Sequence, residues 1–506
     1  MNDKQFNFAL GDKMSVFKKI IAAALSISII LCCLCSCGES YKDAYIYFEL
    51  LEQPKTLDPQ TASSDAELLI VRNIYEGLLR KNSDGEIVNA ACDSYSYSDL
   101  TYTFKLKKNL VWSDGTPLTA HDFVYGLRRA VDPKIKSPFA SRLFSVSGAE
   151  KISSGKAKPS SLGVKAQDDY TLTIKMCRQD KSFLETLTTS VCMPCNENFF
   201  ENSIGKYGLD AECIISNGSY RLTKWNKEDF GIRLYKNEEY SGEFKAQNGA
   251  VFISCIEEES QTTRLSDGDS DMAFLPCEEL ETAKKLGYTN KQLENICWIL
   301  TISNNYSAQV RKAFALSFST DVYSSALPQG FAAADSIYPE ILGIDAAGEG
   351  ILQYDMEKSK EIMSQQISAM EGSKFPQSVL YYYDTVGVKA LTTAIVGHWQ
   401  QNLSTFINIQ DSENLSALQK EISQGELDFA LFPIKATSER FDEYAANFIA
   451  ENDEKVPKKF QKKLLSGNKI IPVAFQSTNI CYIPTLENVS VEESNGYIDF
   501  SYIVKR

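Results

Sequence analysis

Histidine is nearly missing from this chain of 506 residues: there are two, His121 and His398, far apart and in no metal-ligand spacing. Multi-histidine zinc sites and most histidine-dependent catalytic triads are therefore hard to build. Basic residues are outnumbered 52 to 66, which sets a net charge of -14 and an isoelectric point near 4.9. A protein that tracks a phosphate backbone needs a basic face, so nucleic acid is not an expected partner. The body holds no short-period repeat, charge block or low-complexity linker, so its lobes must be joined by crossing strands and not by a flexible tether. What is present is an ordinary globular balance, 43% hydrophobic and 23% charged, with material for two or three lobes. An enzyme would have to work with carboxylates, hydroxyls or thiols.

The amino-terminal segment carries an address. Lys18 and Lys19 precede an uncharged apolar run from Ile20 to Leu31, shorter than the ~20 residues of a membrane-spanning helix. With the stretch Leu31 to Cys37 added the run approaches that length, so an uncleaved anchor is the alternative. Leu34-Cys35-Ser36-Cys37-Gly38 resembles a bacterial lipobox, in which the final cysteine takes diacylglycerol and becomes the first residue after cleavage. Met14 reads as the start, because Met1 to Lys13 is mostly polar. Removing residues 1–37 takes away four lysines and two aspartates and deepens the charge from -14 to -16.

Of 13 cysteines, four fall in this leader and nine in the body, an odd number that leaves at least one thiol unpaired within the chain. They are scattered and several have apolar neighbours, which reads as buried thiols rather than a disulfide framework. Cys192-Met193-Pro194-Cys195 has the spacing of a redox dithiol or half a metal site, but without a thioredoxin-like setting incidental packing is the better reading. His121 reads as a surface residue, His398 as packed or half exposed, and Glu257-Glu258-Glu259 as a solvated face.

Tyr102, Phe104 and Leu106 alternate with polar residues, the period of a strand with one buried face. Ser113 to Pro117 supplies turn chemistry, and Thr119 with Asp122 resembles a capping box ahead of Phe123, Leu127 and Ala130, in a helix that ends before Pro133. Val388, Leu391, Ile395, Trp399 and Leu403 predict a second helix. Phe406–Ile409 then reads as a strand, Leu415–Ile422 as a helix stopped by Gly425, and Leu427–Leu431 as a strand. That alternation predicts an α/β lobe with a partly parallel sheet. Tyr381-Tyr382-Tyr383 ends another strand, with core packing the default and a ligand pocket the alternative.

Thr56-Leu57-Asp58-Pro59 with Asn73 to Leu78, and Trp112-Ser113-Asp114-Gly115-Thr116-Pro117-Leu118-Thr119-Ala120 with Asp122 to Tyr125, resemble the extracellular solute-binding proteins of peptide-importing ABC transporters. Ser137 to Ala140, Leu162 to Ala166, Asn217 to Tyr220 with Trp225, Gly268 to Met272 and Val310 to Ala313 follow in that family's order. The resemblance implies a periplasmic-binding-protein-like α/β fold of the three-lobed oligopeptide-binding type. Residues 1–37 would be the signal peptide; 38–74, 197–283 and 479–506 lobe I; 75–196 lobe II; and 284–478 lobe III, shortened near its end. It also implies a non-enzymatic, lipid-anchored protein on the outer face of a bacterial membrane, with no cofactor or metal. Its partners would be a peptide or peptide-like ligand, an ABC permease, and membrane lipid through Cys37. Two lobes would close over an extended ligand held by main-chain hydrogen bonds, with Ser63, Ser64 and Asp65 on one edge and Pro433, Ile434 and Lys435 on the other.

Two departures stand out. Where relatives place an aspartate that pairs with the peptide amine, this chain has Thr437, with Glu439 or Asp442 as substitutes if the loop is shifted. Val388, Ile422 and Leu431 occupy positions where some relatives carry basic groups toward the peptide carboxylate. A buried amine without a carboxylate is costly, which motivates the alternative of a surface receptor that has lost general peptide binding. The lipobox reading makes one prediction: Cys37→Ala abolishes labelling by a radioactive or clickable lipid precursor, and unchanged labelling overturns it.

Overall fold

The computed structural model describes residues 45–50, 53–226, 231–254, 261–437, 440–448, 456–492 and 497–506. Cys37 and its leader, Cys255, Glu257 to Glu259 and Glu439 lie outside the described residues, as does the side chain of Asp442. In chain order the elements that position the site begin with β1 (Tyr45–Leu50), α1 (Asp65–Ile74), β2 (Cys92–Ser98), β3 (Thr101–Leu106), α2 (Ala120–Val131), β4 (Val164–Asp168) and β5 (Thr171–Lys175). There follow β6 (Tyr220–Asn226), β7 (Gly231–Lys236), β8 (Gly249–Ser254), β9 (Met272–Leu275), β10 (Thr289–Ile302), β11 (Phe331–Ala333) and β12 (Ser378–Tyr383). Last come α3 (Val388–Leu403), β13 (Ile407–Ser412), α4 (Leu415–Gln424), β14 (Phe429–Lys435) and β15 (Ile470–Tyr482).

One sheet of 11 strands runs through the molecule in the order β13-β12-β14-β10-β15-β9-β1-β8-β7-β6, with β11 added beside β15. Strands β10 and β15, of 14 and 13 residues, pair antiparallel along nearly their whole lengths, from Thr289↔Tyr482 to Thr301↔Ile470. At one end of this pair the sheet continues into β9, and at the other into β14. These are the crossing strands anticipated from the absence of a linker. Their ladder slips register between Glu294 and Ile296 and again between Trp298 and Ile299, bulges that raise local twist where the two halves meet. A separate antiparallel sheet has the order β2-β3-β5-β4.

The apolar pattern explains the layers. In β10 and β14 nearly every residue from Ile296 onward and from Phe429 onward is apolar, as a strand covered on both faces requires. Trp298, Leu300, Phe429 and Leu431 enter one core with α3, whereas Cys297, Ile299, Ala430, Phe432 and Ile434 enter a second core on the opposite face. The predicted α3 stripe, Val388, Leu391, Ile395, Trp399 and Leu403, is buried in the first of these. Strand β12 pairs in parallel with both β13 and β14, giving the partly parallel sheet. Tyr382 is core, and Tyr381 and Tyr383 pack partly buried against the second core. A third large core, around β1, α1, α2 and the smaller sheet, buries Tyr102, Phe104, Leu106, Trp112 and Phe123.

Helix α2 begins at the predicted cap, where Asp122 Oδ2 accepts the Thr119 N–H at 2.7 Å, and stops before Pro133. Gly126 on its buried face lies so close to the Cys192–Cys195 segment that a Cβ there would sit 2.4 Å from the Met193 carbonyl. Cys195 N–H donates to the Asp122 carbonyl at 3.0 Å. One turn on, Arg129 is clasped by Asp58 at 2.6 and 3.1 Å and by Gln60 at 2.5 Å, with Cys195 Sγ at 3.5 Å and the Phe200 ring 4.0 Å away. Cys192 and Cys195 are unpaired and buried, and burial pushes both thiols up to about 12. A thiolate nucleophile is thereby suppressed, so the pair is packing. His121 is exposed, 3.6 Å from Asp169, and His398 is half-buried, its pKa lowered by burial.

Two outcomes follow. Asp58→Ala leaves the Arg129 guanidinium buried without its carboxylate and lowers unfolding free energy by about 3–5 kcal/mol in urea denaturation. In native protein at pH 7, iodoacetamide followed by mass spectrometry labels the exposed Cys177 and spares Cys192 and Cys195.

Candidate functional site

The middle of the two crossing strands forms one wall of a cavity of about 660 Å3, through Ile296 on β10 and Gln476 to Asn479 on β15. Its size lies within the ~300–1,000 Å3 typical of small-ligand sites. Helix α1 supplies Asp65, Leu68, Leu69 and Arg72; the loop after α2 supplies Phe139 and Arg142; β9 and the turn beyond it supply Phe274 and Glu279; and the end of β14 supplies Lys435 and Thr437. Most of this wall is apolar.

The entrance of α1 is built on one carboxylate. Glu67, buried in the first turn, accepts Lys55 N–H at 3.0 Å and Thr56 N–H at 3.1 Å on Oε1, and Ser63 N–H at 2.8 Å and Ser64 N–H at 3.0 Å on Oε2. Ser64 Oγ in turn accepts the Glu67 N–H at 3.3 Å, completing the capping box. The main-chain donors of Ser63 and Ser64 are thus consumed inside the protein. Asp65, next in line, is more than half exposed and faces the cavity.

On the other side, Ala436 N–H donates to the Asn295 carbonyl at 2.8 Å. In an antiparallel ladder the hydrogen-bonding direction alternates, so Ile434 turns its main-chain groups toward Cys297, while Pro433 and Lys435 turn theirs toward the opposite edge. Pairing with β12 ends at Leu431, which leaves that edge uncovered by β12. Pro433 sits where a missing N–H costs the ladder nothing. Its carbonyl and the N–H and carbonyl of Lys435 form a short edge that β12 leaves unpaired.

The two sides touch. Lys435 Nζ lies 2.5 Å from Asp65 Oδ2. Beside it, Arg142 meets Glu443 at 2.8 Å, and Arg440 Nη1 donates to Thr186 Oγ1 at 2.9 Å. Arg72 meets Glu492 at 2.7 Å, and Glu492 also holds Lys81 at 3.0 Å. Asn479, 2% exposed, directs Nδ2 to Cys277 Sγ at 3.2 Å.

Of the residues anticipated from sequence, Asp65, Lys435 and Thr437 line the cavity. Ser63 and Ser64 shape the turn behind Asp65, and Ile434 is buried in the sheet with Pro433 beside it. Val388 and Leu431 are fully buried in the core beside α3. Ile422 packs against the core on the opposite face. The anticipation missed Arg72, Arg142, Glu279 and the β15 segment Gln476 to Asn479. Phe139 and Arg142 had a signal: they sit in and just after the Ser137–Ala140 motif.

Comparison with known proteins gives this geometry its context. The sequence profile described as bacterial extracellular solute-binding proteins, family 5, middle part, matches residues 86–455. The chain is 28% identical over 401 residues to the oligopeptide-binding protein OppA of Bacillus subtilis, covering 74% of this chain and 73% of that one. It is 28% identical over 414 residues to a dipeptide-binding protein of Lactococcus lactis, covering 76% and 75%. Among solved structures, Listeria monocytogenes OppA bound to peptide superposes with a TM-score of 0.73 at 18% identity over 92% of this chain and 99% of that one. The pheromone receptor PrgZ gives 0.76 at 20% over 92% and 100%. These relatives are named as oligopeptide- and dipeptide-binding proteins, and the fold is that of the solved structures. With the profile spanning most of its length, the chain belongs to the family 5 bacterial extracellular solute-binding proteins.

Proposed function

We propose that this protein is the lipid-anchored, extracytoplasmic capture component of an ABC importer, taking a peptide or peptide-like ligand and presenting it to a membrane permease. The observation that carries the reading is the cavity of about 660 Å3 beside the open main-chain edge at Pro433 and Lys435. An extended ligand adds to such an edge by strand pairing, gaining affinity from main-chain hydrogen bonds while apolar walls accept varied side chains. Closure is a movement of lobe III (residues 284–478) against lobes I and II about β10 and β15, with Cys37 as the tether. Among the described residues no helix is long and apolar enough to cross a membrane. The reading involves no catalytic step.

A second reading, a surface receptor on the same scaffold that has lost general peptide binding, draws on Thr437 and on the Asp65–Lys435 contact, which ties the two anticipated edges to each other. One experiment separates the two. A ligand that binds only the folded state stabilises it by RT ln(1 + [L]/Kd), about 2.7 kcal/mol at a hundredfold excess over Kd. Chain from Gly38 onward is heated with random peptide pools bearing free or acetylated amino termini. A rise in unfolding temperature with either pool supports capture. Silence from every pool, with protein shown to be folded, favours the receptor.

A further inference from the structure

Charge along the cavity wall is unevenly distributed. Of the charged side chains that line it, Asp65 and Lys435 neutralise each other at 2.5 Å, and Glu279 Oε2 already accepts the Thr262 N–H at 2.7 Å together with its hydroxyl. The remaining two are cations, Arg72 and Arg142, and they lie with Thr189 and Thr437 where the cavity meets a narrow cleft whose wall carries four cations, Arg72, Lys81, Arg142 and Arg440, against three carboxylates, Glu185, Glu443 and Glu492. Each guanidinium makes a single short contact with one carboxylate oxygen rather than a paired fork: Arg72 Nη1 to Glu492 Oε2 at 2.7 Å, and Arg142 Nη2 to Glu443 Oε2 at 2.8 Å. Each carboxylate is shared with another cation, Glu492 with Lys81 at 3.0 Å and Glu443 with Arg440 at 3.3 Å. Aromatic rings support both arginines, Tyr497 4.7 Å from Arg72 and Phe139 4.5 Å from Arg142.

Arginine presents its N–H groups in a fixed fork that matches a carboxylate through two bonds, and a half-used fork at a cavity wall is a ready acceptor of a second anion. Burial lowers the Arg142 pKa, and although Glu443 opposes the shift, repulsion from Arg72 and Arg440 adds to it. A neighbouring anion relieves that repulsion. An ammonium group placed here meets the opposite situation, because Glu492 and Glu443 are already engaged by arginines and each is shared with a further cation.

Resting on the capture reading above, we infer that the cavity end formed by Arg72, Arg142, Thr189 and Thr437 is an anion subsite, and that the ligand is a short, mainly apolar peptide-like acid whose carboxylate docks there. The apolar remainder of the cavity, with Leu68, Leu69, Phe139, Phe274 and Ile296, receives the side chains.

Isothermal titration of the intact chain in mild detergent with four probes tests this. Acetyl-trileucine carries its carboxylate at the carboxyl end, succinyl-trileucine amide at the amino end, acetyl-trileucine amide is neutral, and trileucine amide bears only an ammonium. At least one of the two acids binds about tenfold or more tighter than the neutral probe, as one added charge-assisted pair provides, and the ammonium probe binds weakest. Which acid wins gives the direction in which the ligand lies. Thr437→Asp places a negative charge beside the arginines from an exposed position without removing any existing ion pair. It erases the preference for the acid over the neutral probe, read as the ratio of their two dissociation constants in the same variant. Equal binding of acid and neutral probes, tightest binding of the ammonium probe, or an unchanged preference in Thr437→Asp overturns the subsite while leaving peptide capture standing. Silence from all four probes overturns the ligand class, and silence from the random pools as well overturns capture itself.

Discussion

Everything in this molecule depends on the pairing of β10 with β15. These two strands belong to both halves of one sheet: their outer residues complete the part that contains β9 and β1, and their opposite ends complete the part that contains β14 and β12. Backbone hydrogen bonds must be satisfied wherever water is excluded, and a continuous ladder does this across the boundary without any loop. The boundary is marked by two register slips, at Glu294/Ile296 and Trp298/Ile299. The cavity opens beside the first of them. A sheet that twists sharply at one place creates a concave surface there, and the side chains of Ile296 and Gln476 to Asn479 become its wall.

The two sides facing that wall have unlike construction. On the α1 side, Glu67 gathers four backbone N–H groups and spends them internally, so the segment leading to Asp65 presents side chains and carbonyls. On the β14 side, Lys435 retains both its N–H and its carbonyl on an edge that β12 does not reach. Of these two sides, β14 is the one with a main-chain donor on an edge that β12 leaves uncovered. The two sides are nevertheless joined by charge, through Lys435 with Asp65 and Arg142 with Glu443. Exposed pairs of this kind contribute little, while the more buried Arg142–Glu443 contact matters more to alignment than to net stability.

Local order was legible in the sequence wherever a short stretch of chain decides it. The alternation at Tyr102, Phe104 and Leu106, the cap formed by Thr119 and Asp122, and the stripe from Val388 to Leu403 all lie where the structure has a strand, a helix start and a buried helix face. The last strand of that region, read at Leu427–Leu431, runs instead from Phe429 to Lys435, through Pro433. In fact Pro433 occupies an edge position that needs no donor. The site was legible only in part. Arg72 looks like a surface arginine in the last turn of α1, and its partner Glu492 lies 420 residues away. Nothing local announces such a meeting. Asp65 and Lys435 were found through resemblance, and the contact between them, over 370 residues of separation, was not.

The slipped ladder also constrains how the molecule moves. A cleft hung from a loop opens by rotation about a few free torsions, at little cost and in any direction. A cleft hung from two paired strands moves with the ladder, whose backbone hydrogen bonds limit displacement to twist and bend of the ribbon. The hinge of the proposed closure would then be a β-ribbon, a backbone feature that side-chain divergence around the cavity leaves intact.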